Sequence, residues 1–304
     1  MALTEQLLME APAAPAHAAD GGGGAPPDAR RWAVLLAFSA NCGVNAFMFM
    51  DFTTVPTLTK QVFGFCPAAG NATACDGVGD EFVGWTYSAS LLAVVPTVIA
   101  VMALVESHAW ATYTATFGAQ AAGAWLRYVA VHVAAAGDTG MGKDLALLSA
   151  VLIGVGSAGC VVSYSAVAAE WFPAPERALA TSCTVQSNYA GWALGAVVFP
   201  YSVASAQDLV DLQFMQAIGV SIAFGTYLMV YQERDGDDGA GTGQQQSTQR
   251  QHPGFVEGMH MLATSRQYIL QCLCYSCMAG VSFAVPAFQA SASVDLQHPN
   301  AFLS

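Results

Sequence analysis

The most regular feature of this chain is a series of long apolar runs separated by short polar segments. A helix needs roughly 20 apolar residues to cross the hydrocarbon core of a bilayer, and each run is about that long or longer. The runs are Trp32–Val55, Phe82–Val105, Ala109–Val133, Leu145–Ala168, Ala178–Val203, Leu212–Tyr231 and Tyr268–Ala290. The pattern therefore predicts an all-α, polytopic membrane protein with seven transmembrane spans.

The clearest pair of runs lies in the middle of the chain. Between Leu145 and Pro200 the sequence carries three charged residues, Glu170, Glu176 and Arg177, all within eight residues of each other. This pattern is typical of a span, a tight polar turn and a second span.

Polar segments divide the chain into four predicted parts. Residues 1–31 are rich in Ala, Pro and Gly, have no apolar signal-peptide core, and are predicted to be a disordered tail. Residues 32–232 hold six runs and predict a six-span bundle. Residues 233–265 include an acidic, glycine-rich stretch and three consecutive glutamines, which predicts a flexible cytoplasmic linker. Residues 266–304 then begin a second bundle with span seven.

Composition excludes several classes of function. Charged residues are 10% of the chain, hydrophobic residues are 55%, and the net charge is −12, so we expect a lipid bilayer and not a nucleic acid as partner. Cys272, Cys274 and Cys277 would point in different directions on a helix, and no His or acid joins them, so no metal site is predicted. No loop holds a catalytic triad or paired carboxylates. We therefore expect a protein that is not an enzyme and has no cofactor; its oligomeric state stays open.

The basic residues predict the orientation of the spans. With a cytoplasmic N-terminus, the outer loops would hold Lys60 and Lys143, and the inner segments would hold Arg30, Arg31, Arg177, Arg234, Arg250 and Arg266. That distribution follows the positive-inside rule. It also places residues 56–81 outside, where Asn71 begins a glycosylation sequon flanked by Cys66 and Cys75. We therefore predict glycosylation at Asn71 and a Cys66–Cys75 disulfide.

A few polar residues inside the runs are candidates for function. Asp51 lies near the outer end of span one, either as a functional acid or solvated at headgroup level. Arg127 in span three is expected to extend to the outer surface beside Trp125. Asn41 and Asn45 lie deeper and share one helix face, which is expected to meet either another helix or a water-filled cavity, with the cavity favoured.

Span five combines small and polar residues. Gly191 and Gly195 form a small-xxx-small pair, which predicts close helix packing. Asn188 and Tyr189 precede this pair by about one turn, near the expected midplane of the bilayer, where transporters place their substrate sites.

Several segments together resemble one known family. They are Arg31-Trp32 and Asn45-Ala46-Phe47 in span one, Gly123 to Arg127 in span three, the turn from Glu170 to Thr181, Asn188 to Gly191 in span five, and Tyr275 to Val285 in span seven. In order and spacing this set is similar to the feline leukaemia virus subgroup C receptor relatives, a branch of the major facilitator superfamily. The turn Trp171-Phe172-Pro173 is the most specific element.

The resemblance implies a twelve-span fold of two six-helix halves that alternate in access around a central site. This chain would supply the first half and the first helix of the second, as a fragment or a truncated gene model. The implied substrate-binding residues are Asn45, Phe49, Asn188, Tyr189 and Phe283. In family members that carry choline-like cations, a tryptophan of span one faces the cation. Phe49 occupies the level of that tryptophan here.

The implied gating residues are Glu106, Glu170 and Arg177. The loop between spans two and three departs from the superfamily pattern, because Glu106-Ser107-His108 has neither its glycines nor its arginines. Glu106 stands where the acid of that pattern would be. Glu170 and Arg177 are expected to pair across the span-four to span-five turn, with solvation of both at the headgroups as the alternative.

We expect secondary-active transport of a small organic solute within the family's choline, ethanolamine, haem and pyridoxine range, in a plasma membrane or an endomembrane. The alternative is a non-transporting, receptor-like or scaffold protein with several spans, or an inactive fragment.

Overall fold

The computed structural model describes residues 29–66, 79–231 and 255–274, together with 276, 277 and 280. All regular structure in these residues is helical. The helices are α1 (Ala29–Phe49), α2 (Asp51–Thr54), α3 (Pro56–Val62), α4 (Asp80–Ala135), α5 (Thr139–Trp171), α6 (Arg177–Ser202), α7 (Ala206–Val230) and α8 (Phe255–Thr264). The predicted all-α fold class is confirmed for the described part of the chain.

Helix α4 consists of two antiparallel helices joined at His108. That residue leaves the helical region (φ −145°, ψ 57°), and an unbroken helix of 56 residues would be about 84 Å long, far more than a bilayer core. The backbone oxygen of Ser90 lies against Gly154 of α5, and the side chain of Gln120 lies against Gly156. Since residues 30 positions apart contact neighbouring points of α5, the chain reverses at His108, as the two predicted spans require.

Four of the described helices are long and apolar enough to cross a membrane: α1, α4, α5 and α7. Helix α6, the predicted fifth span, has 26 residues but is more polar, because Thr181, Ser182, Thr184, Gln186 and Ser187 lie in its first half. The structure is that of a polytopic membrane protein, and the crossing by α6 stays a prediction.

The helix ends follow local sequence signals. Asp138 caps α5 by accepting a hydrogen bond from the Met141 backbone N–H at 3.1 Å. Ser205 and Asp208 form a capping box at the start of α7. After Trp171 the chain turns at Pro173 and Pro175, which cannot donate the hydrogen bonds that would extend α5. The polar turns predicted from the sequence therefore end and begin the long helices.

The predicted linker is only partly described. Within 233–265, residues 255–264 form α8, which follows Pro253-Gly254 where the sequence becomes apolar again. Residues 266–274, the beginning of the predicted second bundle, are helical as well. The four domain boundaries stay predictions.

Helices α1 and α6 run in the same direction and touch through glycine. A Cβ atom on Gly191 would collide with the Gly43 carbonyl oxygen, and one on Gly195 would lie 2.7 Å from Met50 Cβ and 3.1 Å from the Phe47 carbonyl oxygen. The Ser187 hydroxyl donates to the Ser39 carbonyl oxygen at 2.6 Å. The packing role predicted for Gly191 and Gly195 is confirmed.

Replacing Gly191 by Ala is expected to push α6 away from α1, because the new methyl group meets backbone and not a movable side chain. We expect a loss of about 1–3 kcal/mol of stability, measured by thermal unfolding in detergent. Gly219→Ala in α7 is the matched control, since nothing lies within 4 Å of its Cβ position. Equal effects of the two substitutions would contradict the proposed close contact.

Candidate functional site

The deep polar residues of α1 form hydrogen bonds to neighbouring helices. The Asn45 amide donates to Gln120 Oε1 at 3.1 Å and to the Ile153 carbonyl oxygen at 3.2 Å. Gln120 Nε2 donates to the Asn41 carbonyl oxygen at 3.1 Å, and Asn41 Nδ2 donates to the Ala223 carbonyl oxygen at 2.9 Å. The expectation that Asn41 and Asn45 face a water-filled cavity is wrong in this structure, because both are buried between helices.

Asp51 and Arg127 form a buried ion pair. Arg127 Nη1 lies 2.9 Å from both carboxylate oxygens of Asp51, and the two side chains are 3% and 2% exposed for Arg127 and Asp51. Gln213 Nε2 donates to Asp51 Oδ2 at 3.1 Å. Arg127 also donates to the Met48 carbonyl oxygen and to Ser149 Oγ.

The structure therefore corrects two expectations. Asp51 is not solvated at the headgroup level, and Arg127 does not extend to the outer surface. A charge inside an apolar bundle requires a partner of opposite charge. Span one and span three each hold one such charge, and the fold pairs the two.

A small cavity lies next to this ion pair. Its volume is about 10 Å³, the space of one water molecule. The lining includes Phe49, Asp51, Tyr87, Ser90 and Arg127, and the Tyr87 hydroxyl is buried without a hydrogen-bond partner. The cavity is too small for an organic solute.

Phe49 lies at the centre of an aromatic cluster contributed by three helices. Its ring is stacked on Trp192 of α6 at 6.2 Å and 14°, and it meets Tyr87 of α4 edge-on at 5.9 Å. We call Phe49, Tyr87 and Trp192 the aromatic cluster. Tyr87 and Trp192 were not predicted as site residues. Trp192 could have been found, because it lies one turn after Asn188 and so shares its helix face.

The other predicted binding residues do not all lie in one place. Asn188 is partly buried and donates to the Cys42 carbonyl oxygen at 3.3 Å. Tyr189 is 57% exposed and does not join the aromatic cluster. Phe283 lies outside the described residues. Of the predicted set, the structure therefore brings Phe49 and Asn188 to one region beside Trp192 and places Asn45 among the interhelical contacts.

At the end of the bundle where α1 begins, a different pair from the predicted one is formed. Arg31 Nη2 lies 3.0 Å from Glu176 Oε2, and Trp32 packs edge-on against Phe172 at 5.1 Å. We call Arg31, Trp32, Phe172 and Glu176 the Arg31 clasp. It joins the start of α1 to the α5–α6 turn.

Of the three predicted gating residues, Arg177 contacts a residue of this clasp, and Glu170 and Glu106 do not belong to it. Arg177 Nε donates to the Phe172 carbonyl oxygen at 3.0 Å, and Glu170 accepts from the Tyr231 hydroxyl at 3.4 Å. The expected direct pair of Glu170 with Arg177 is thus not formed, because the side chain of Arg177 turns back onto its own loop. Glu106 is exposed beside the reversal at His108. The gating role of the three residues stays a prediction.

The predictions for the loop of residues 56–81 fall partly outside the described residues. Cys66 is disulfide-bonded, whereas Cys75 and Asn71 lie outside, so their pairing and glycosylation stay predictions. Near Cys66, Lys60 Nζ lies 2.7 Å from Asp80 Oδ1 and connects α3 to the start of α4.

Long apolar helices joined by buried polar contacts define this chain as a polytopic membrane protein. No family model matches the sequence. Over 203 residues it is 25% identical to the choline/ethanolamine transporter FLVCR2 of Rattus norvegicus. The aligned region covers 66% of this chain and 34% of that protein. It is 25% identical over 186 residues to the choline/ethanolamine transporter FLVCR2 of Homo sapiens, covering 61% and 32%.

A third relative is the choline/ethanolamine transporter FLVCR1 of Felis catus, with 26% identity over 186 residues, 60% of this chain and 30% of that protein. The chain thus spans about a third of the length of the curated relatives it matches. These similarities confirm the resemblance to the feline leukaemia virus subgroup C receptor relatives.

Removing one partner of the buried ion pair is expected to leave the other charge uncompensated. Arg127→Met alone should lower the stability by about 3–5 kcal/mol, measured as thermal unfolding in detergent. The double variant Asp51→Leu with Arg127→Met should recover much of that loss. A double variant as unstable as the sum of the single variants would contradict a direct pair.

The Arg31 clasp is expected to tolerate exchange of its charges. Arg31→Glu and Glu176→Arg should each lower stability by about 1 kcal/mol or less, since the pair is partly exposed, and the double swap should restore it. The matched control is the same swap at Glu170 and Arg177, which should show no coupling energy in a double-mutant cycle. Coupling in the control but not at the clasp would show that the predicted gate pair is the correct one.

Proposed function

We propose that this chain is part of a secondary transporter that carries a small organic cation of the choline or ethanolamine type by alternating access. The observation that carries the proposal is its similarity to three curated choline/ethanolamine transporters over 60–66% of its length. The matched relatives are named as transporters and not as enzymes, which supports a non-catalytic role.

The geometry is compatible with such a substrate. Phe49 and Trp192 provide aromatic faces, which attract cations. The Asn188 side chain, one turn before Trp192 on the same helix face, can orient a hydroxyl or amine group by hydrogen bonding. Arg127, the cation that lines the neighbouring cavity, is neutralised by Asp51, so it does not repel a positively charged solute. Asn45, Tyr189 and Phe283 remain proposed as further binding residues.

Alternating access requires contacts that can form and break at the two ends of the bundle. The Arg31 clasp closes the end where α1 begins. We propose that this end is cytoplasmic, as the distribution of basic residues favours, and that Glu106, Glu170 and Arg177 act in its opening. The host membrane is a plasma membrane or an endomembrane.

The second candidate function is a non-transporting receptor-like or scaffold protein. It is favoured by the span-two to span-three reversal, where Glu106-Ser107-His108 replaces the superfamily's glycine- and arginine-containing loop. Both candidates place the protein in the bilayer, and they differ in whether a solute crosses.

Uptake by the full-length gene product separates the two candidates. Cells that express it are expected to accumulate labelled choline or ethanolamine saturably, and Asn188→Ala should raise the half-saturation concentration about 2- to 10-fold through loss of one hydrogen bond. Tyr189→Ala tests the proposed contact of the neighbouring residue in the same way. Tyr201→Ala, at a side chain that is 88% exposed, is the matched control and should behave like the parent.

Surface expression is measured for every variant, so that loss of folding is not mistaken for loss of binding. Surface-expressed protein that moves neither choline nor ethanolamine, nor haem or pyridoxine as further family substrates, would favour the receptor-like alternative.

A further inference from the structure

The residues that α4 contributes to the small cavity beside the ion pair are all polar. They are Thr86, Tyr87, Ser90 and Arg127, and each is buried. The Thr86 hydroxyl donates to the Val83 carbonyl oxygen, and the Ser90 hydroxyl donates to the Thr86 carbonyl oxygen. Both hydroxyl oxygens can therefore still accept a hydrogen bond from an occupant of the cavity.

Two donors that belong to the cavity lining have no acceptor in the described part of the chain. The Tyr87 hydroxyl is buried and makes no hydrogen bond. Arg127 donates from Nε and Nη1, and its Nη2 donates to none of the described residues. Burying a polar group without a partner is costly, so both donors favour an occupant that accepts hydrogen bonds.

Size and charge restrict this occupant. A volume of about 10 Å³ holds one group of the size of a water molecule. Asp51 and Arg127 neutralise each other, so an ion in the cavity would have no opposite charge of its own. A water molecule or a hydroxyl group is neutral, has this size, and both donates and accepts hydrogen bonds.

We propose that this cavity is a binding site for one hydroxyl-sized group, held by the Tyr87 hydroxyl, Arg127 Nη2 and the hydroxyl oxygens of Thr86 and Ser90. Without a solute, a water molecule supplies this chemistry. The hydroxyl end of a solute supplies the same chemistry when it displaces the water, since Phe49 lines the cavity and also belongs to the aromatic cluster. The solute hydroxyl rests on the proposed function, whereas the water molecule does not.

The hydroxyl is the feature that the proposed substrates share. Choline carries methyl groups on its nitrogen and ethanolamine carries none, but both have the same hydroxyethyl chain. A site that accepts both solutes cannot depend on the shape of the nitrogen end alone. A hydroxyl subsite gives the same contact to either solute, and it rejects a cation without a hydroxyl because the polar groups of the site would be left unpaired.

The first experiment tests the water molecule in the absence of any solute. Thermal unfolding of the purified full-length protein in detergent is measured for Tyr87→Phe, Ser90→Ala and the double variant. Each single variant should lower the midpoint by about 1–4 °C through loss of a hydrogen bond to the water. The double variant should lose less than the sum, because both changes remove partners of the same molecule.

Tyr113→Phe is the matched control for the first experiment. The Tyr113 hydroxyl is also buried without a hydrogen-bond partner, but Tyr113 does not line this cavity. Removing a hydroxyl that has no partner relieves a cost, so the midpoint of Tyr113→Phe should not fall. An equal fall in Tyr113→Phe and Tyr87→Phe would show that the effect does not come from the cavity.

The second experiment tests the solute hydroxyl. Binding of choline and of ethyltrimethylammonium, which lacks the hydroxyl, is measured for the parent, Tyr87→Phe and Tyr113→Phe. Tyr87→Phe should weaken choline binding about 2- to 10-fold and change the affinity for ethyltrimethylammonium less than twofold. Tyr113→Phe should leave both affinities unchanged.

The outcomes distinguish the two occupants. A midpoint loss that is less than additive, with an unchanged hydroxyl preference, shows a site for water alone. Loss of the hydroxyl preference in Tyr87→Phe shows that the solute hydroxyl enters the cavity. A preference that is kept in Tyr87→Phe and lost in Asn188→Ala places the solute hydroxyl at Asn188 and overturns its assignment to the cavity.

Failure of this inference is also distinct from failure of the proposed function. Parent protein that binds neither cation overturns the proposed cation transport, and the unfolding experiment still decides whether the cavity binds water. A Tyr87→Phe midpoint equal to or above that of the parent, together with an unchanged hydroxyl preference, overturns the binding site.

Discussion

The ion pair between Asp51 and Arg127 is the interaction on which the arrangement of the helices most depends. In a medium of low dielectric constant neither charge is stable alone. The pair is completed by Gln213 from α7 and Ser149 from α5, so one point connects four helices. Rotation of any of these helices would leave a charge or an amide unpaired, and this defines which helix faces meet.

A second set of polar contacts follows α1 towards its start. Asn45 reaches α4 and α5, and Asn41 reaches α7, through hydrogen bonds to side-chain and backbone oxygens. Helix α6 is held differently, by glycine contacts and by hydrogen bonds from Ser187 and Asn188 to carbonyl oxygens of α1. The bundle thus combines a charged connection among α2, α4, α5 and α7 with a neutral, backbone-based connection between α1 and α6.

Much of the fold could be predicted from the sequence because apolar length and helix-ending residues are local signals. The span boundaries, the reversal near His108 and the packing of Gly191 and Gly195 follow from residues close in sequence. The partners of isolated polar residues could not be predicted in this way. Asp51 and Arg127 are 76 positions apart. Considered within its own span, Arg127 was expected to lie at the bilayer surface, and Asp51 to be either a functional acid or solvated at the headgroups.

The same limit explains the candidate site. Phe49 was implied by the family resemblance, and Asn188 was indicated by its polarity and depth in span five. Phe49 contacts Trp192, and Asn188 lies one turn before it, while the binding role of both stays a prediction. Trp192 was not predicted as a site residue, because Gly191 and Gly195 beside it indicate helix packing, although its i,i+4 relation to Asn188 places it on the same helix face. The pairing of Arg31 with Glu176, in place of Glu170 with Arg177, depends on how α1 approaches the turn, which no local pattern specifies.

The distribution of contacts also indicates which parts of the bundle are easiest to separate. The cavity beside Phe49 has the space of one water molecule, so a larger solute requires side chains that line it, Tyr87 among them, to move. Moving α6 away from α1 breaks two hydrogen bonds to backbone carbonyls and a glycine contact. Moving the second half of α4 separates the buried charges of Arg127 and Asp51. Moving α7 removes the amide of Gln213 from Asp51. Neutral hydrogen bonds contribute about 1 kcal/mol each, and separated buried charges cost several times more. In hydrogen bonds and charge pairs alone, the contact of α6 with α1 is therefore the less costly one to break, and breaking it leaves the pair of Asp51 and Arg127 intact.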